Sequence, residues 1–225
     1  MKNFQARILE IIDNNIVLNR TVFYPRGGGQ LGDRGILKQA DKEFTVIDTI
    51  KEDGKVVHVL DDASINKEIE VYGEINWKTR YMNMRHHSAI HVLCGIMYRD
   101  FKALVTGGQI NLDKARVDFD VEGINSENKA EIEKSVNNII QQDIKIKARN
   151  ISKEEALSIS DLVRTKPGMK LVNNLKIIRI IEIENFDVQA DGGTHVNSTK
   201  EIGKIEISKI ENKGKHNKRI EVKLH

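Results

Sequence analysis

The hydrophobic pattern of this chain changes period at Trp77, and that change limits the folds open to it. Up to about residue 77, apolar residues come in short runs separated by turn residues. This is the signature of strands, whose side chains alternate between two faces. From Thr79 to Phe101 the period becomes helical. Met84, His87, His91, Cys94 and Tyr98 share one stripe, with Ile90, Leu93 and Met97 beside it. The switch predicts two domains, 1–77 and 78–225.

In the first part, Phe4 to Ile11, Ile16 to Asn19, Thr21 to Tyr24, Phe44 to Ile50, Val56 to Leu60 and Glu68 to Asn76 read as strands. Asp13-Asn14-Asn15 and Glu52-Asp53-Gly54-Lys55 read as turns. Short strands with regular turns predict a small β-barrel. The segment Pro25 to Gly35 holds five glycines in eleven residues. Such a loop is either a wide β-turn or a backbone that something approaches closely. It lacks the order of a nucleotide-binding loop and leads into no helix, which argues against that use.

In the second part, Gly107-Gly108 reads as a break and Ala115 to Val121 as a strand. Asn125-Ser126 can cap a helix running to about Gln142, and Ser152-Lys153-Glu154-Glu155 has the form of a capping box. Ile144 to Ala148, the run within Leu171 to Glu184, Lys204 to Ile210 and Arg219 to Leu224 read as strands, and Pro167-Gly168 as a turn. The expected class is α+β: the small N-terminal β-barrel, then a two-layer α/β domain with helices on one side of a sheet.

The chemistry concentrates in two pieces. His87 and His91 are four residues apart, so on a helix both imidazoles leave one face about 6 Å apart along the axis. Asp191-Gly192-Gly193-Thr194-His195 offers an aspartate and a histidine around two glycines, which favours a tight loop. A helix supplying two ligands and a loop supplying one or two more can hold a zinc ion. Asp191 either completes a four-ligand set or stays outside it and leaves an open position. Thr194 and the Gly192 and Gly193 amides are nearby donors for a substrate. Cys94 stands seven residues from His87, too far along the helix to share an ion, and reads as a buried thiol. His86 points about 100° away from His87, toward a neighbour or solvent. His58, His216 and His225 have no partner in sequence and read as surface residues.

With 39% hydrophobic and 31% charged residues, a soluble globular core is expected. No apolar run reaches the ~18 residues of a membrane span, and the N-terminus does not read as a signal peptide. A single cysteine excludes a disulfide framework and fits the cytoplasm. The net charge of +3 permits an anionic partner such as RNA without demanding one. The C-terminal cations Lys204, Lys209, Lys213, Lys215, Lys218, Arg219 and Lys223 form either a solvated face or a phosphate-contacting patch. Aromatic residues are only 5%, so base stacking is not the obvious mode.

Arg85 to Leu93 resembles the HH[ST]AxHLL motif of alanyl-tRNA synthetase editing domains. Gly192 to Val196 with Thr199 to Gly203 resembles their CGGTHVxxTxEIG motif, and Thr21 to Tyr24 through Gly29-Gln30, Asp33 and Gly35 resembles TxFYxxxGGQxxDxG. Gly107 to Asp120 is similar to the segment after the zinc helix. With no aminoacylation domain in the sequence, the resemblance is to the freestanding AlaX-type editing proteins, in the medium form that keeps the N-terminal barrel.

The resemblance implies a trans-acting, zinc-dependent deacylase with one Zn2+ per chain. Its partner would be tRNA(Ala) mischarged with serine chiefly, and with glycine as a further candidate. It implies His87, His91 and His195 as zinc ligands, with Asp191 standing where the family has a cysteine. It places Thr21 and Gln30 near the substrate as catalytic candidates with Thr194, and Gly28 and Gly29 with Gly192 and Gly193 as substrate-contacting backbone. Monomer and homodimer both stay open. A non-catalytic, zinc-stabilised tRNA-binding module and a hydrolase of free small esters are the alternatives.

Overall fold

The structure, a computed structural model, describes residues 1–62, 64–159, 162–164, 172, 174–214 and 216–225. The expectations at Pro167-Gly168 and Lys215 lie outside the described residues. The chain forms two compact units, Met1–Met82 and Asn83–His225. It is a mixed α/β protein whose sheets are antiparallel. Among the described residues no helix is long and apolar enough to cross a membrane.

The first unit holds β1 (Asn3–Ala6), β2 (Ile8–Ile12), β3 (Asn15–Leu18), β4 (Gly35–Gln39), β5 (Lys42–Glu52), β6 (Lys55–Leu60) and β7 (Val71–Ile75). Their order is β1-β7-β4-β5-β6-β3-β2. One apolar cluster draws on every strand, from Ala6 and Ile8 at the two edges to Leu37, Phe44 and Leu60 between them. A sheet that buries one face in a single cluster must curl around it. Among the described residues no ladder joins β1 to β2, so where a small β-barrel was expected the curled sheet is a half-barrel. The turn between β5 and β6 has positive φ at Asp53 (48°) and Gly54 (78°), the two-residue hairpin turn that matches strand twist.

Two local expectations fail here. Thr21 to Tyr24 joins no ladder: the Tyr24 N–H goes to the Asp33 side chain at 2.7 Å, and the Tyr24 carbonyl accepts from Asp33 N–H at 2.9 Å. Strand β4, which follows the glycine loop, was not expected. Its Gly35 is required because a Cβ there would strike the Glu74 backbone across the ladder.

Helix α1 (Trp77–Phe101) begins in the first unit. There Arg80 Nε donates to Asp33 Oδ1 at 2.9 Å and its Nη2 donates to Val22 O at 2.7 Å, while Nη2 also pairs with Asp33 Oδ2. From His86 to Met97 every residue but Ile90 is buried. The helix is buried all round rather than along one stripe, and so His86 lies inside rather than in solvent.

Among the described residues the second unit has two sheets where one was expected. One has the order β10-β11-β12, from Ile146–Ser152, Ile177–Ile183 and Asp187–Ala190. The other has the order β13-β14-β9-β8, from Ile205–Asn212, Asn217–Leu224, Ala115–Asp120 and Leu104–Ile110. Gly107 and Gly108 do not break the chain: they sit inside β8, at a register shift against β9. Helix α2 (Lys129–Gln141) follows a 3-10 turn capped by Asn125 and buries Ile132, Val136, Ile139 and Ile140. Asn137 clamps it to β13 through both atoms of the Ile205 peptide, at 2.9 and 3.0 Å. Short α3 (Lys153–Ser158) starts at the expected cap, where Ser152 Oγ accepts from Glu155 N–H.

Candidate metal centre

Helix α1 brings His87 and His91 onto one face, one turn apart, with ring centroids 5.3 Å from each other. The second contribution comes from the loop after β12. Its start is anchored to β11, because Arg179 Nη1 donates to the Asp191 carbonyl at 2.8 Å. The loop then returns to the helix through Val196, whose N–H donates to Ser88 Oγ at 3.2 Å. Between these anchors His195 packs against the histidine pair, its centroid 4.4 Å from the His87 ring in a tilted contact and 4.6 Å from the His91 ring edge-on.

Asp191 closes the group. Its Oδ2 lies 3.0 Å from His195 Nε2 and its Oδ1 lies 3.5 Å from His87 Nε2. One ligand atom from each of His87, His91, Asp191 and His195 falls within 4.8 Å of the others. A tetrahedral ion with bonds near 2.1 Å sets its donors roughly 3.4 Å apart, so these four need little adjustment to share one cation. The donor set, three imidazoles and a carboxylate, suits zinc.

The electrostatics agree with that use. Burial pushes His91 down to about 4, against the opposing charge of Asp191. Burial also drives His195 well below its ordinary value, with the His87 charge adding to it. Burial by itself would raise the Asp191 carboxyl, but His87, His195 and His91 outweigh it and hold the group far below the carboxylate range. Buried His91 and His195 kept neutral, beside an ionised carboxylate, are in the protonation state that a cation requires of its ligands.

The two loop glycines differ. A Cβ on Gly193 would stand inside the His87 ring, and the Gly193 N–H donates to Asp191 Oδ2. Gly193 is therefore a close-approach glycine whose amide is already committed to the carboxylate. Gly192 is exposed and a Cβ there would meet nothing. Thr194 is half-buried. Cys94 is buried, and burial pushes its thiol up to about 12, which suits packing rather than ligation.

The other candidates belong to the first unit. Gly28 and Gly29 have φ of 59° and 84° and form a two-residue turn, with Gly27 and Gln30 exchanging backbone hydrogen bonds at 3.0 and 3.1 Å. The glycine-rich segment is thus a tight turn of the hairpin type. Gln30 is 2% exposed and Thr21 is half-buried. Thr21 Oγ1 lies 2.8 Å from Nε2 of His58 and accepts from Phe23 N–H at 3.0 Å.

Four histidines lie outside the cluster. His58 is not at the surface: it is fully buried, with Nδ1 3.3 Å from the Ile16 carbonyl. His86 is buried too and pushed down to about 4 by burial, against the opposing effect of the Leu112 backbone. His216 and His225 are exposed and pair with Glu122 and Glu206, as surface residues do. Of the C-terminal cations, Lys209 and Lys213 pair with Glu211 and Arg219 pairs with Asp118, which favours the solvated-face reading. Sequence reasoning passed over Ser88 and Arg179; only Ser88 carried a signal, its place inside the histidine motif.

Residues 1–79 match the family described as class II (A) tRNA synthetases, and residues 178–221 match the threonyl and alanyl tRNA synthetase second additional domain. An alanyl-tRNA editing protein AlaX-M of Saccharolobus solfataricus is 41% identical over 223 residues, covering 98% of this chain and 93% of that protein. The chain belongs to the AlaX-M family of alanyl-tRNA editing proteins. An AlaX-M protein of Methanosarcina barkeri is 37% identical over 228 residues, 98% of this chain and 93% of that protein. An alanine–tRNA ligase of Pyrobaculum neutrophilum is 36% identical over 216 residues, 94% of this AlaX-M chain but 24% of the ligase. The second additional domain runs from β11 into β14, so in this AlaX-M chain it includes Asp191, His195 and Thr199. Thr199 in turn caps α2: its Oγ1 donates to the Ile139 and Ile140 carbonyls, at 3.2 and 3.1 Å, and accepts from Ile144 N–H at 2.9 Å.

Proposed function

We propose that this AlaX-M chain is a zinc-dependent aminoacyl-tRNA deacylase that acts in trans on tRNA(Ala) mischarged with serine, and secondarily with glycine. The observation that carries this reading is the convergence of His87, His91, Asp191 and His195 on one small volume. An alanine pocket rejects serine poorly, because an added hydroxyl costs too little to exclude it, so a second, hydrolytic site has a physical reason to exist.

Zinc, when bound, supplies Lewis-acid polarisation of an ester carbonyl and activation of water near neutral pH. His87, His91 and His195 would hold it. Asp191, ionised and bonded by the Gly193 amide, either joins them or balances the charge from outside. Thr194 and the Gly192 amide flank the same loop and would orient the ester, while Gly193 keeps His87 close to the carboxylate. Thr21 and Gln30, with the Gly28-Gly29 turn, are assigned to the substrate side by their motif. The functional division is placed at 77/78, where the strand pattern stops. Cytoplasmic location follows from the substrate.

The four-donor set gives a second reading some support. If all four groups bind, the ion is closed off and zinc only stabilises a tRNA-binding module. A deacylation assay with Ser-tRNA(Ala), Gly-tRNA(Ala) and Ala-tRNA(Ala), with and without a chelator, separates the two. Chelator-sensitive release of serine is expected. No release at all, from protein that still binds the tRNA, would leave only the binding module.

A further inference from the structure

Ser88 follows His87 in sequence and is fully buried beside the cluster. Its Oγ accepts from the Val196 N–H at 3.2 Å and lies 3.4 Å from Nδ1 of His195. The other nitrogen of that ring, Nε2, faces Asp191 at 3.0 Å inside the cluster. An imidazole that offers Nε2 as a lone pair must carry its proton on Nδ1. The Ser88 oxygen is then the acceptor for that proton. A hydroxyl can also donate, so it equally serves the other tautomer, in which Nε2–H pairs with the Asp191 carboxylate. A carboxylate at position 88 would serve only the first.

We propose that Ser88 is a positioning residue for metal binding: its hydroxyl holds the loop-borne His195 with Nε2 turned toward the imidazoles of His87 and His91. The observation is one oxygen that joins the helix to the loop twice, at the His195 ring Nδ1 and at the N–H of the next residue, Val196. Outer partners of this kind fix ring orientation and are worth about 10–100-fold in metal affinity. The inference rests on the cluster being a metal site.

The test is Zn2+ affinity of the full chain, measured by competition with a chromophoric chelator, for the native protein, S88A, S88T, H195A and the S88A/H195A double variant. Native protein should bind one ion, S88A should bind it about 10–100-fold more weakly, and S88T should restore most of the loss. In the H195A background S88A should have no further effect, because the hydroxyl acts through that ring. An equal effect of S88A in both backgrounds, or none in either, would overturn the proposal while leaving the metal reading intact. Failure of the native protein to bind Zn2+ would remove both. If S88A does not fold, the His195 Nδ1–H of the zinc-loaded native protein decides: a downfield, slowly exchanging proton hydrogen-bonded to the Ser88 oxygen is expected, and a freely exchanging one refutes the role.

Discussion

The hydroxyl of Thr21 lies 2.8 Å from Nε2 of a fully buried histidine, His58, whose Nδ1 is 3.3 Å from the Ile16 carbonyl. A carbonyl only accepts, so Nδ1 carries the proton, Nε2 is bare, and Thr21 donates to it. Thr21 Oγ1 also accepts from Phe23 N–H, so its hydroxyl keeps one lone pair and no proton for anything else.

This arrangement makes the fold acid-sensitive. Burial lowers His58 from 6.5 to about 4, so below 6.5 the unfolded chain takes up a proton that the folded chain refuses. The stabilisation is fully present above 6.5 and is lost as pH falls toward 4, by roughly 3 kcal/mol. His86, lowered to about 4 by the same cause, adds to the loss. Urea midpoints should drop between pH 7 and pH 5, and the drop should be smaller for His58→Gln. An unchanged pH slope in that variant would contradict the assignment.

The loop glycines should not be equivalent. Gly193→Ala places a methyl group within the His87 ring, whereas Gly192→Ala points into open space. Zn2+ affinity and serine release should fall at least about tenfold for the first and stay near native for the second. Similar losses in both would mean that the loop tolerates no side chain for some other reason.

Asp191 and His195 should also separate. His195→Ala removes one of the three imidazoles of the cluster, while Asp191→Ala leaves all three in place. We expect Asp191→Ala to retain more activity and more bound metal than His195→Ala. Equal loss of metal content in the two variants would show that the carboxylate is an obligatory ligand.

The Arg80–Asp33 pair is a stability test in the first unit. Asp33 is 1% exposed, Arg80 is 9% exposed, and the guanidinium grips both carboxylate oxygens. Asp33→Ala strands a buried cation and also deprives Tyr24 N–H of its acceptor. A loss of about 3–5 kcal/mol is expected in chemical denaturation. A loss below 1 kcal/mol would mean that water reaches the pair.

Local pattern was enough for the long helix, for the caps at Asn125 and Ser152, and for the HxxxH and GGTH pieces, because each depends on neighbours a few residues away. The same pattern misread Thr21 to Tyr24, whose β-forming residues send their hydrogen bonds to Asp33 instead of a ladder. It also misread Gly107-Gly108, which a neighbouring strand holds in register. His58 looked unpartnered because its partner, Thr21, is distant in the chain. Residue types and spacing along the chain therefore named the four candidate ligands. Only the folded structure decided that Asp191 sits between His87 and His195 and that Ser88 backs His195, because the contacts of Asp191 with His87 and of Ser88 with His195 join a helix to a loop about a hundred residues later and no local periodicity records them.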